Sequence, residues 1–172
     1  MPQHSKARGL QVAVIDTTLL SRLVELDVAQ FLPLVFKLIL IPPEVKREAY
    51  KAPGKRRLRN LVNESAGFFV DCYEADQFTK AFLRADLDDG EAAAIAQADY
   101  KQAVLLLDES KGFKRAQSMQ LTVCRTLNVL NQLKTAGAIA AVRPYYDKLR
   151  RTGFYVKEEV RRNLLAEVGE EE

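Results

Sequence analysis

The sequence has little that would tie it to a disulfide scaffold, a zinc site, a fibre or a membrane. Its two cysteines, Cys72 and Cys124, could form one bridge at most. No CxxC or Cys/His spacing offers a zinc ligand set, and both read as buried thiols of a reducing compartment. Eight glycines and six prolines in 172 residues exclude a collagenous or low-complexity chain. No uninterrupted apolar run approaches the roughly 18 residues of a membrane span. His4 is the only histidine and sits in a polar terminus, which argues against general-base chemistry by histidine. The opening MPQHSKARGL has no apolar stretch before a small-residue cleavage site, so a cytoplasmic location is expected. A dominant charge is missing too: 26 Lys and Arg stand against 23 Asp and Glu, and a net charge of +3 is too mild to announce a nucleic-acid binder.

What is there is a globular mix, 48% hydrophobic and 28% charged, with the length of one domain. QVAVID is a short β-branched run ending at Asp16, and TTLLSRLVELDVAQFLPLVF follows it with leucines at helical spacing. A second aliphatic run, Leu38 to Ile41, precedes Pro42-Pro43, and proline is tolerated where a helix begins. The polar stretch from Lys51 to Gly67 predicts a loop and a short basic helix. FFVDCY predicts a third strand, QFTKAFLRADL a helix closing at DDG, and EAAAIAQADYKQ a helix of strong formers. AVLLLDES is the most apolar strand candidate, and KGFKRAQSMQ after it reads as a helix. A short LTVC strand precedes TLNVLNQLKTAG, IAAVRPYYDKLRRTG and KEEVRRNLLAEVG, three helices with glycine endings. Apolar strands alternating with helices imply an α/β fold: an open three-layer sandwich with a mostly parallel sheet covered on both faces.

In such a sheet ligands lie outside the carboxyl ends of the strands, so the residue after each apolar run is the first place to look. Two of these are Asp16 and Asp108. If their strands are neighbours, the like charges raise one another's pKa unless a cation lies between them. Glu91, opening a helix after Gly90, and Glu48, on the helix after Pro43, are candidates to join them. Glu44 lies on the same helix face as Glu48 and is an alternative. Asp88 is a weaker candidate. Oxygen ligands without His or Cys suit Mg²⁺ or Mn²⁺, and that chemistry points to phosphodiester hydrolysis by activated water. Each acid also has a purely structural reading, since Asp16 before Thr17-Thr18 is suited to cap a helix, as Asp88 or Asp89 is before Glu91. Lys55, Arg56, Arg57, Lys111 and Lys114 are candidates for RNA phosphate contact, although a charge run is usually a solvated face. Tyr145, Tyr146, Phe154 and Tyr155 are expected to pack rather than stack on bases.

The order VID-TT, IPPEVKREAY, LDDGEAAAIAQA and VLLLDESKGFKRA, continuing to RTLNVLNQLKTAGAI and VRPYYDKLRRTGFYVKEEV, resembles the PIN domain, particularly its toxin-like branch. The resemblance implies a PIN-like domain over 10–156, with 157–172 as a C-terminal helix and acidic tail of the same unit. It implies that Asp16, Glu48, Glu91 and Asp108 hold Mg²⁺ or Mn²⁺ and are the catalytic set of an endoribonuclease leaving 5′-phosphate and 3′-hydroxyl ends. Such relatives are commonly the toxin of a toxin–antitoxin pair, often a homodimer held inactive by a small antitoxin. The pattern departs from the family at Leu106, where Thr is usual, and at Glu109-Ser110, where many relatives carry a second Asp. A catalytically inactive PIN-like module that binds RNA or protein is the alternative. A phosphoacceptor domain of flavodoxin-like or response-regulator type lacks the late Lys it would need.

Overall fold

The computed structural model describes residues 10–64, 69–71 and 76–170. Its five parallel strands are β1 (Gln11–Ile15), β2 (Phe36–Ile41), β3 (Phe69–Asp71), β4 (Val104–Leu106) and β5 (Val123–Cys124), in the order β3-β2-β1-β4-β5. Val14 of β1 registers with Leu40 on one side and Leu105 on the other. The chain builds outward from β1 in one direction through β2 and β3, then returns to its other side with β4 and β5. The connection therefore reverses between β1 and β4, and at such a switch point two strand ends splay their following loops apart.

Around the sheet lie α1 (Thr17–Glu25), α2 (Pro43–Lys51), α3 (Arg56–Glu64), α4 (Gln77–Leu83), α5 (Asp89–Lys101), α6 (Ser110–Ser118), α7 (Thr126–Thr135), α8 (Arg143–Arg151) and α9 (Glu158–Glu167). Successive strand residues point to opposite faces, and both faces are buried. Ala13, Ile15, Ile39, Ile41 and Leu106 join a core with α1, α7, α8 and α9. Val14, Leu40, Leu105 and Leu107 join a second core with α4, α5 and α6. This is the expected three-layer α/β arrangement, and α2 lies at its seam, touching both α1 and α5.

The sequence reading of one helix from Thr17 to Phe36 is corrected. α1 ends at Glu25, Asp27 adopts a left-handed φ of 62°, and the Val28 N–H donates to the Leu23 carbonyl at 3.0 Å. Ala29–Leu34 then form a 3-10 helix containing Pro33, whose missing N–H cannot serve an α-helical ladder. Phe36 already belongs to β2, two residues before the expected start. The helix expected over IAAVRPYYDKLRRTG starts only at Arg143, because Pro144 suits a first turn and not an interior. Tyr146 is buried as expected, and Tyr145 and Phe154 pack against the core, but Tyr155 is 80% exposed. His4 and Cys72 lie outside the described residues.

α5 carries no polar face along most of its length: every residue from Gly90 to Ala98 is buried. Only small side chains let a helix enclosed by β1, β4, α2, α4 and α6 approach all of them. Ala94→Leu is expected to overpack this layer and cost about 1–3 kcal/mol, read as a lower urea midpoint with an unchanged slope. A neutral result would show slack that the burial of Ala94 denies.

Candidate active site

Asp16 follows β1 directly, and its backbone N–H donates to the Leu106 carbonyl at 3.0 Å, pinning it beside the end of β4 at the switch point. It is both the N-cap of α1 and an acid of the crevice: its Oδ2 accepts the Thr18 N–H at 3.0 Å. Burial is the largest influence on its carboxyl group. The Thr18 bond opposes that effect, while Glu91, Asp88 and Glu48 add to it, and the pKa is pushed from 3.8 up to about 7.

Glu48 reaches the same place from α2. Thr17 Oγ1 donates to Glu48 Oε2 at 2.5 Å, and the Gly90 N–H donates to the same carboxylate. Burial, and then the charge of Asp88, hold its pKa above the usual value. Gly90 is needed for this approach, since a Cβ there would stand 2.5 Å from Glu48 Oε2 and 2.6 Å from Oε1. Glu44, the alternative on this helix, is engaged elsewhere: Lys80 and Arg84 lie 2.8 and 3.3 Å from its Oε1. Burial raises its pKa, but the Lys80 hydrogen bond and charge outweigh that and leave it lowered.

Glu91 is buried in the first turn of α5, and its backbone N–H donates to the capping Asp88 carboxylate at 2.8 Å. Its pKa is raised by burial and then by Asp88, with Glu109 adding and Lys111 subtracting. Its Oε1 is buried with no hydrogen-bond partner. Gly112 of α6 leaves it room, for a Cβ there would lie 3.0 Å from that oxygen. Asp16, Glu48 and Glu91, with Asp88 at their rim, thus form one electrostatic neighbourhood.

Asp108 is placed differently. Its Oδ1 accepts the Thr126 N–H at 2.9 Å, and its Oδ2 accepts Thr126 Oγ1 and Arg22 Nη1, each at 2.5 Å. Among the predicted phosphate contacts, Lys55 pairs with Glu25, Arg57 with Asp27, and Lys111 with the Asp86 carbonyl, while Arg56 and Lys114 are exposed on α3 and α6. Thr17, Gly90, Gly112 and Arg22 were not singled out by the sequence reading. The two glycines left a signal, because glycine near the start of a helix where alanine would be favoured often marks a close approach. Arg22 left none, since 86 positions separate it from Asp108.

Among the described residues no three carboxylates converge tightly enough to enclose an ion as the side chains stand. Their chemistry nonetheless fits a hard divalent cation: the donors are all oxygen, one buried Glu91 oxygen lacks a partner, and mutual repulsion is unrelieved. A cavity of about 540 Å³ lies elsewhere, between β5, α7 and α9, and contains none of these acids.

Burial makes the Asp16 anion costly, so the sign of its stability effect is fixed. Its contribution is intact below the unfolded value near 3.8, declines as pH rises, and is lost through about 7. In metal-free protein Asp16→Asn, which keeps a good N-cap, is expected to raise stability by on the order of 4 kcal/mol above pH 7, at about 1.4 kcal/mol per unit. That gain should close toward pH 4 in urea unfolding curves, and a pH-independent difference would refute the assignment. Gly90→Ala is expected to leave thermal stability within about 1 kcal/mol of wild type, because only the flexible end of Glu48 need move, while displacing that carboxylate and weakening Mn²⁺ uptake.

No curated protein matches the chain in sequence. Among solved structures it is similar to VapBC2 from Rickettsia felis bound to a DNA fragment from their promoter, at 16% identity and a TM-score of 0.49, over 66% of this chain and 98% of that one. The family model for the PIN domain matches residues 12–170. With the model spanning nearly the whole sequence and every strand of the sheet but the first residue of β1, the chain belongs to the PIN domain family.

Proposed function

We propose that this protein is a divalent-metal-dependent endoribonuclease. The observation that carries the reading is the unpartnered, buried Oε1 of Glu91 among carboxylates whose pKa values are all raised. Glu44 Oε2 is also buried without a partner, but Glu44 is paired with Lys80 and Arg84, whereas Glu91 lies among other acids. An interior carboxylate left uncompensated in that company is a standing cost that a cation would relieve. Asp16, Glu48 and Glu91 would hold Mg²⁺ or Mn²⁺. When bound, the ion supplies neutralising charge and Lewis acidity to a phosphodiester.

The chain's own residues do the rest. Asp16 is fixed by the Thr18 N–H and by the bond of its own N–H to β4, so its carboxylate is positioned before any ligand arrives. Thr17 and Gly90 orient Glu48, so its carboxylate too is held in place before any ligand arrives. Glu91 presents a preorganised oxygen with nothing to give up on binding. The RNA substrate rests on family kinship and on the cations exposed on α3 and α6. A small antitoxin as regulatory partner, and a homodimer, belong to the same proposal on the ground of kinship alone.

Uptake of an ion by a carboxylate whose pKa lies at about 7 releases protons at and below neutrality. Calorimetric titration of the wild type with Mn²⁺ is therefore expected to show affinity rising up to about tenfold per pH unit between pH 5 and 7 and levelling above. Asp16→Asn should lose both Mn²⁺ uptake and cleavage of a labelled RNA. Wild-type protein that takes up no Mn²⁺ and cuts no RNA would overturn the enzyme reading in favour of an inactive PIN-like binding module.

A further inference from the structure

Asp108 is the residue whose surroundings the metal centre does not explain. Both of its oxygens are occupied, by Thr126 and by Arg22, and its side chain is 2% exposed. Three donors on four lone-pair positions leave little to offer an ion. A second guanidinium closes on it from α7's N-terminus: Arg125 Nη2 donates to the Asp108 carbonyl at 2.6 Å, and Arg125 Nε lies 4.0 Å from Oδ1. Two cations against one carboxylate leave an uncompensated positive charge beside a strongly acidic centre.

Each guanidinium also lies over an aromatic ring. Arg22 lies over the Phe154 ring at 4.8 Å, and Arg125 over Phe113 at 5.2 Å. A guanidinium set against a ring and tied to Asp108 by one nitrogen keeps its remaining donors for a ligand and loses little freedom on binding one. The side chains remain 25% and 40% exposed, so solvent reaches those edges. A cleft of about 330 Å³ opens at Arg22, lined by Thr18, Ser21, Thr152 and Lys55, and the one carboxylate in it, Glu25, is paired with Lys55. Ser21 and Thr152 already donate to Glu25 and to the Leu149 carbonyl, so the donors the cleft offers to phosphate oxygens are the guanidinium edge and the Thr18 hydroxyl.

We propose that Asp108 is a positioning residue rather than a metal ligand, and that the Arg22–Arg125 fork it anchors binds a backbone phosphate of single-stranded RNA beside the carboxylate centre. The carboxyl edge of the sheet is thereby divided. Asp16, Glu48 and Glu91 occupy one part, and the arginine fork, with the cleft that opens beside Arg22, holds the strand alongside. This inference rests on the nuclease reading for its substrate class, but not on metal binding.

The test is fluorescence anisotropy of a labelled 12-nucleotide single-stranded RNA with the full chain in EDTA, so that no ion contributes, alongside Mn²⁺ calorimetry on the same variants. Arg22→Gln and Arg125→Gln are each expected to weaken RNA binding about tenfold and to change Mn²⁺ affinity less than threefold. Arg22→Lys should fail to restore RNA binding, because an ammonium neither stacks nor forks. Asp108→Asn removes a negative charge yet should weaken RNA binding; tighter binding would show that Asp108 only neutralises the arginines and would overturn its positioning role. Arg125, at the surface, keeps the test open if Arg22 variants unfold. RNA binding equal to wild type in both glutamine variants would overturn the fork, as would complete displacement of RNA by low millimolar inorganic phosphate, which would assign the site to the free anion. Mn²⁺ affinity rising tenfold in Arg22→Gln, and not in Arg22→Gln/Asp108→Asn, would instead make Asp108 a latched ligand. Protein that takes up Mn²⁺ but shows no arginine-dependent RNA binding refutes the fork alone; the converse refutes the metal enzyme alone.

Discussion

Much of this structure follows from one unfavourable condition, the burial of like-charged carboxylates where β1 and β4 diverge. Asp16 cannot leave, because its N–H completes the pairing of β1 with β4 and its side chain caps α1. Glu91 cannot leave either, because it opens a helix whose next seven residues are buried. The acids are thus fixed by elements with their own reasons to be where they are, and the repulsion is absorbed by a raised pKa rather than by movement. A site whose strain is carried by the scaffold is ready for a cation before one arrives.

The surrounding small residues follow from the same condition. Gly90 admits the Glu48 carboxylate to the first turn of α5, and Gly112 admits Glu91 against α6. Glycine in a helix sacrifices up to about 1 kcal/mol against alanine; at Gly90 the Glu48 carboxylate requires it, and at Gly112 the Leu107 side chain does so together with Glu91. Charge is sorted with equal economy. Glu44 is neutralised by Lys80 and Arg84, and Asp108 by Arg22, so among the described residues the buried acids without an ion pair, Asp16 and Glu91, share one crevice.

The layer order, the parallel sheet and the strand-end acids were legible because they depend on local periodicity and on where apolar runs stop. Val12 to Ile15 and Ala103 to Leu107 read as strands, and the residues after them read as site candidates. The break after Glu25 was less legible: leucines at helical spacing continue through it, and only the left-handed Asp27 and the 3-10 turn around Pro33 reveal it. Glu44 and Glu48 could not be told apart by spacing, since both lie on one helix face. Lys80 and Arg84, some 40 positions away, engage Glu44, while Glu48 lies near Asp16.

Asp108 marks where strand-end logic reaches its limit. Position after a strand brings a side chain to the carboxyl edge of the sheet, but it does not say which neighbours will meet it there. Asp16 meets other acids and no cation among the groups that set its pKa, so its charge is left available. Asp108 meets the N-terminus of α7 and the arginine of α1, so its charge is spent on assembling them. Two aspartates in equivalent sequence contexts therefore divide the work. One lies in a concentration of negative charge, and the other is surrounded by an arginine and a helix N-terminus.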